Sequence, residues 1–164
     1  MNKIYIIIFL ALLFNSVANA KPKCIGDDYT KWTNCFGEYT NSKGRIYEGE
    51  FGAKAGVRDG YGSSKSSEGN FFVGEFRDDK PVKGKIIYSN GDYFEGTWNE
   101  TGRYGEGKFF YKKNNQIYTG NFINDQLQGM VLIEDLSPKM NGLKRICKVV
   151  DGKIVNEDTD CKTI

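Results

Sequence analysis

Tyr47-Glu48-Gly49-Glu50-Phe51 decides the fold, because its plan returns three more times. Phe72-Val73-Gly74-Glu75-Phe76, Phe94-Glu95-Gly96-Thr97-Trp98 and Tyr118-Thr119-Gly120-Asn121-Phe122 share the pattern aromatic-x-Gly-x-aromatic, with central glycines 25, 22 and 24 residues apart. A period of this length marks a repeat architecture, in which each unit buries its apolar face against its neighbours. Side chains alternate faces along a strand. The two aromatics and the glycine of each motif therefore share one face, with Glu48, Glu50, Glu75 and Glu95 on the other.

The flanks repeat as well. A turn precedes each motif, at 41–44, 67–70, 89–92 and 113–116. A glycine-led strand precedes each turn, at 37–40, 62–65, 84–88 and 107–111, and a fifth such strand, 129–133, follows the last motif. Asn90-Gly91 between two strand-like runs predicts a type I′ hairpin turn, which needs positive φ at both central residues. Gly44 and Gly69 offer the same freedom. The bare face of Gly49 is expected to admit an aromatic ring from the neighbouring hairpin. A lone hairpin is marginal in water, but stacked aromatics that each bury about 150–250 Å² can supply a core.

These residues resemble the MORN repeat (membrane occupation and recognition nexus), a hairpin carrying Tyr-x-Gly-x-Phe/Trp followed by Gly-x-Gly. The first part matches at Tyr47, Gly49 and Phe51 and at Tyr118, Gly120 and Phe122. Phe72 with Gly74 and Phe76, and Phe94 with Gly96 and Trp98, match with Phe in place of the first Tyr. Gly-x-Gly is complete at Gly60-Tyr61-Gly62 and Gly105-Glu106-Gly107, and half lost at Val82-Lys83-Gly84 and Leu127-Gln128-Gly129. The likeness covers residues 36–133. The segment from Cys24 through Trp32 and Cys35 to Gly37 resembles the cysteine-bearing lead-in of exported bacterial MORN proteins. The resemblance implies an all-β, elongated array of antiparallel hairpins, used for protein–protein contact, self-association or contact with membrane lipid.

The ends of the chain carry their own signals. Lys3, an unbroken apolar run over 4–14 and Ala18-Asn19-Ala20 form a secretory signal peptide cleaved between Ala20 and Lys21. The run is too short to span a bilayer, so no transmembrane anchor is expected after cleavage. Lys21-Pro22-Lys23 before Cys24 is not a lipoprotein signal. All four cysteines, Cys24, Cys35, Cys147 and Cys161, lie beyond the leader, where an even count in an exported chain points to disulfides. Of three possible pairings, grouping at the two ends favours Cys24–Cys35 and Cys147–Cys161. The expected division is a signal peptide (1–20), an N-terminal cysteine cap (21–36), four repeats (37–134), and a linker with a capping hairpin (135–164). Pro138 and Gly142 mark the linker, and Asp151-Gly152 the turn of the cap.

Composition excludes several functions. There is no histidine, which removes Ser-His-Asp and Cys-His chemistry and the commonest metal ligand. The net charge of +2 falls to +1 with loss of Lys3, which gives no electrostatic case for nucleic acid. The Gly-x-Gly elements lack the Lys-Ser/Thr of a phosphate loop, and neither Asp78-Asp79-Lys80 nor 156–160 has the pattern of a calcium loop. Glu48, Glu50, Glu75, Asp92 and Glu95 recur with the repeat, as a solvated sheet face does, rather than as a catalytic pair. No enzyme, metal or cofactor is expected. Tyr61, Tyr88, Tyr93 and Tyr104 fall outside the motif and are the candidate contact residues. The expected partner is a protein or a second copy of the chain. A glycan or lipid headgroup along the aromatic face is the alternative, in the periplasm or outside the cell.

Overall fold

A computed structural model describes residues 21–140 and 142–164, without the side chain of Asp158. The expected leader, with Ala20 of its cleavage site, lies outside the described residues. The described chain is all-β. Its helix is limited to single turns at Tyr29–Lys31 and Glu157–Asp160, the latter within the acidic segment 156–160. Twelve strands form one sheet: β1 (Phe36–Thr40), β2 (Ile46–Phe51), β3 (Arg58–Lys65), β4 (Phe71–Arg77), β5 (Lys80–Ile87), β6 (Tyr93–Asn99), β7 (Gly102–Tyr111), β8 (Gln116–Ile123), β9 (Gln126–Asp135), β10 (Leu143–Val150), β11 (Lys153–Ile154) and β12 (Cys161–Thr163). The first eleven lie side by side in chain order, and β12 pairs with β10. The sheet continues into the segment read as the cap, because β10 pairs antiparallel with β9 from Leu143–Asp135 to Val149–Gly129.

The hairpins have two kinds of turn: Asp151-Gly152 turns where its dipeptide places it, whereas Asn90-Gly91 does not make the turn expected of it. At 88–92 the Gly91 N–H donates to Tyr88 O and the Tyr88 N–H to Asp92 O, with φ of +89° at Gly91 alone. This is the longer hairpin loop closed by one left-handed residue, not type I′. Gly44 and Gly69 fill the same place, and Asn115 (φ +53°) fills it in the fourth repeat. Positive φ at two successive residues occurs instead at the opposite ends of the strands: Asp78-Asp79 (+45°, +65°), Asn124-Asp125 (+49°, +67°) and Asp151-Gly152 (+49°, +73°). Asp and Asn tolerate this region because their short side chains bond locally.

The motif rings form the core. Tyr47, Phe51, Phe72, Phe76, Phe94 and Phe122 are all buried. The first ring of each of the first three motifs meets the last ring of its own and of the next edge to face. Tyr47–Phe51, Tyr47–Phe76, Phe72–Phe76, Phe72–Trp98, Phe94–Trp98 and Phe94–Phe122 have centroids 4.9–5.6 Å apart. This geometry sets each ring's positive edge on its neighbour's negative face. The motif glycines make room for it, though not as expected. An added Cβ at Gly49 or at Gly62 would stand 2.5 and 2.6 Å from Tyr47 Oη, and one at Gly96 or Gly107 would stand 2.5–2.6 Å from the Phe94 ring. Tyr47 and Phe94 thus each lie over the glycine of their own strand and over the leading glycine of the next hairpin, so Gly49 takes the ring of its own strand rather than a neighbour's. The pairing register slips beside the glycine in all four repeats, between β2 and β3, β4 and β5, β6 and β7, and β8 and β9.

Two arginines close this face. Arg103 donates from its backbone N and from Nε to Asp125 Oδ1, both at 2.9 Å, and its guanidinium lies over Phe94, Phe109 and Phe122 at 5.0–5.5 Å. Arg58 repeats the arrangement with Asp79, over Tyr47 and Phe76.

Both ends of the row are finished. Trp32 is buried, sits edge to face with Phe51 at 5.2 Å, and covers Gly37 as Tyr47 covers Gly49. Its Nε1–H donates to the carbonyls of Ile25 and Gly26. Cys24–Cys35 holds this segment down, and Lys21 anchors it through Glu50 (3.0 Å) and the carbonyl of Phe51. At the far end aliphatic residues replace rings: Leu127, Val131, Ile133 and Val149 pack with buried Cys147, which is bonded to Cys161 across the β10–β12 pair. The edge groups of Phe36 bond to Pro22 and Cys24, while β11 and β12 cover the outer side of β10. The outer side of β10 is thus covered by strands, and that of β1 is covered at Phe36.

Candidate functional site

With the motif rings committed to the core, the open surface is the opposite, outer face. Cross-strand register places its residues in rows perpendicular to the strands. One row runs Ile46, Lys65, Phe71, Ile87, Tyr93, Phe110, Ile117. It is apolar at every position but Lys65, with Ile46, Phe71 and Ile87 exposed and the last three half-buried. Sequence reading missed this row, although it carried a signal: the residue before each first motif aromatic is Ile46, Phe71, Tyr93 or Ile117, apolar in all four repeats.

The next row runs Glu48, Ser63, Val73, Lys85, Glu95, Lys108, Thr119, Leu132. Beyond it lie Tyr61, Glu75 and Lys83, paired in turn, and further along Glu106 opposite Asn121. Between these two rows an open trough of about 600 Å³ crosses β3 to β8, floored by Gly84, Gly96 and Gly107. Three carboxylates, Glu75, Glu95 and Glu106, and three ammonium groups, Lys83, Lys85 and Lys108, line it. Opposite charges stand on paired residues, Glu75 with Lys83 and Glu95 with both Lys85 and Lys108. Yet among the described residues none of the six forms an ion pair or a side-chain hydrogen bond. Lys85 instead holds its Nζ 4.0 Å from the centre of the Tyr93 ring.

The four tyrosines singled out by sequence separate into two pairs. Tyr88 packs against the C-terminal core and stacks on Phe109, and burial raises its phenol pKa. Tyr93 stacks on Phe110 beneath Lys85. Tyr61 and Tyr104 are 58 % and 51 % exposed on the outer face, Tyr61 at the trough itself. Of the carboxylates, Glu50 is bound to Lys21, and Asp92 accepts from the Lys112 N–H and from Asn90 Nδ2. Asp79 holds Arg58. Those three are structural, whereas Glu75 and Glu95 face the trough.

No protein-family model matches the chain, and no curated protein matches it.

Proposed function

We propose that this chain is an exported, non-enzymatic binding module of MORN-like hairpins that holds a protein partner, or a second copy of itself, on the outer face of its sheet. One observation carries the reading: six of the eight motif rings are buried in the core and the other two half-buried against it, while an apolar row on six strands, β2 and β4 to β8, lies on the outer face beside mixed charge and is exposed at Ile46, Phe71 and Ile87. Contiguous apolar surface rimmed by polar groups is characteristic of protein–protein contact. The burial of the rings counts against a glycan laid along the motif aromatics. Two disulfides fit an oxidising compartment, and export to the periplasm or beyond belongs to this proposal.

The test is retention of partners from the parent cell envelope on disulfide-intact 21–164, with light scattering on the same material. Phe71→Glu with Ile87→Glu is the comparison, since both residues are exposed and the pair should fold. A partner or dimer present for the parent chain and absent for the doubly substituted one supports the proposal. Equal retention by both, or a monomer with no partner, refutes it.

A further inference from the structure

The trough has a chemistry that the apolar row does not use. We infer that it is a binding site for a neutral oligosaccharide, lying across the strands between Tyr61 and Tyr104.

Four features fit that ligand class together. The volume, about 600 Å³, falls within the range of roughly 300–1,000 Å³ found for ligand clefts. Carboxylates and ammonium groups alternate along the walls, offering acceptors and donors in turn to successive hydroxyls. Their opposing charges sit on paired residues without bonding to one another, so their hydrogen-bonding capacity is not spent within the protein. Three acidic and three basic side chains leave the trough without net charge, which gives no pull on a phosphate-rich or otherwise polyanionic ligand.

The exposed rings add a further feature. Tyr61 stands on β3 and Tyr104 on β7, both on the outer face, four strands or about 19 Å apart at the usual strand spacing. Each offers an apolar ring face and a hydroxyl, which suits stacking on the C–H face of a sugar ring. A peptide fits less well. Strand addition needs an open sheet edge and helix docking needs an apolar groove, whereas this trough crosses the face of the sheet over β3 to β8, away from either edge, and carries six charged side chains.

The test is a titration of ¹⁵N-labelled, disulfide-intact 21–164 with cellotetraose and with chitotetraose, beside vesicles of phosphatidylglycerol. The expected result is a saturable shift of the Tyr61, Lys83 and Glu106 amides by at least one of the two sugars at about 1 mM or below. Tyr61→Ala and Tyr104→Ala should each weaken it by about fivefold to tenfold. Ile87→Ser, on the apolar row, should leave it unchanged. No shift by either sugar at about 10 mM, a shift confined to the apolar row, or equal affinity in the Tyr61→Ala chain overturns the inference. Binding of the vesicles alone also overturns it, in favour of an anionic headgroup. Any of these results leaves the protein-partner proposal standing, because that rests on the neighbouring row.

Discussion

Gly107→Ala isolates the packing that makes a core from a single sheet. The position has ordinary extended backbone, so the substitution adds only a methyl carbon. That carbon would stand 2.6 Å from Phe94 Cε2 and 2.7 Å from Cζ, about 1 Å inside the usual carbon contact of roughly 3.5–4.0 Å. Phe94 has little room to retreat. It is fully buried, with Trp98 at 5.0 Å, Phe122 at 4.9 Å and the Arg103 guanidinium at 5.5 Å. Overpacking of this kind costs about 1–3 kcal/mol. Replacing glycine in a strand returns roughly 0.5–1 kcal/mol of backbone entropy. The net expectation is a loss of about 1–2 kcal/mol and a fall in Tm of roughly 4–8 °C. Urea denaturation of the single variants and of Gly107→Ala with Phe94→Leu completes the cycle. With the ring gone, the added methyl should cost almost nothing, giving a coupling of about 1 kcal/mol or more. A Gly107→Ala protein as stable as the parent, or equally destabilised with and without Phe94, would refute ring-over-glycine packing as the basis of the core.

Further expectations concern pH and the cap. Burial raises the phenol pKa of Tyr47 most, and also those of Tyr39, Tyr88, Tyr111 and Tyr118. A raised folded pKa gives stability that is complete below the unfolded value near 10 and is lost as pH climbs through the folded values. Alkaline unfolding should therefore coincide with a steep rise in tyrosinate absorbance, and separate, gradual titration without unfolding would contradict the burial described. Tyr47→Phe should flatten that limb while costing about 1 kcal/mol at neutral pH, because the hydroxyl donates to Glu50 O at 2.9 Å. Desolvation works to raise the pKa of Asp125, but hydrogen bonds from Arg103 outweigh it and hold the carboxyl below 3.8. Its contribution is present above the unfolded value and is lost as pH falls through the folded one, so Asp125→Asn should make stability less dependent on pH below about 4. An unchanged acid limb in that variant would remove Asp125 from the account. Replacing Cys24 and Cys35 with serine should cost about 3 kcal/mol and red-shift the fluorescence of the uncovered Trp32. A native emission spectrum would show that the cap holds without its bond.

The repeating frame was legible because the motif is itself a face pattern: two aromatics and a glycine at alternate positions describe one side of a strand. The disulfides were legible from their grouping alone. Turn geometry was legible only in part: Asp151-Gly152 turns where its dipeptide places it, but at 88–92 loop length outranks the dipeptide. Asn90-Gly91 carries the strongest hairpin signal and sits in the longer loop, while Asp78-Asp79 adopts the two successive positive φ values without a glycine. The trough was hidden for a different reason. Glu75 and Lys83, or Glu95 and Lys108, become neighbours only through strand register, and each register slip falls within one or two residues of the motif glycine. The apolar row lay one residue outside the pattern sought, at Ile46, Phe71, Tyr93 and Ile117. Arg58 and Arg103 lie outside every motif, and nothing short of the fold puts them over the rings.

Those two arginines set a second, longer period. Arg58 and Arg103 are 45 residues apart and Asp79 and Asp125 are 46 apart, about two hairpins rather than one. At the intervening turn the pair is Lys80 with Glu100, exposed and touching no ring. Alternate hairpins are therefore not equivalent, although their aromatic motifs look alike. Each arginine bonds an aspartate 21 or 22 residues further along the chain, so each clamp is contained within one hairpin and the turn that follows it. A hairpin copied together with that turn would carry its own clamp, whereas one copied without it would leave the arginine unanswered.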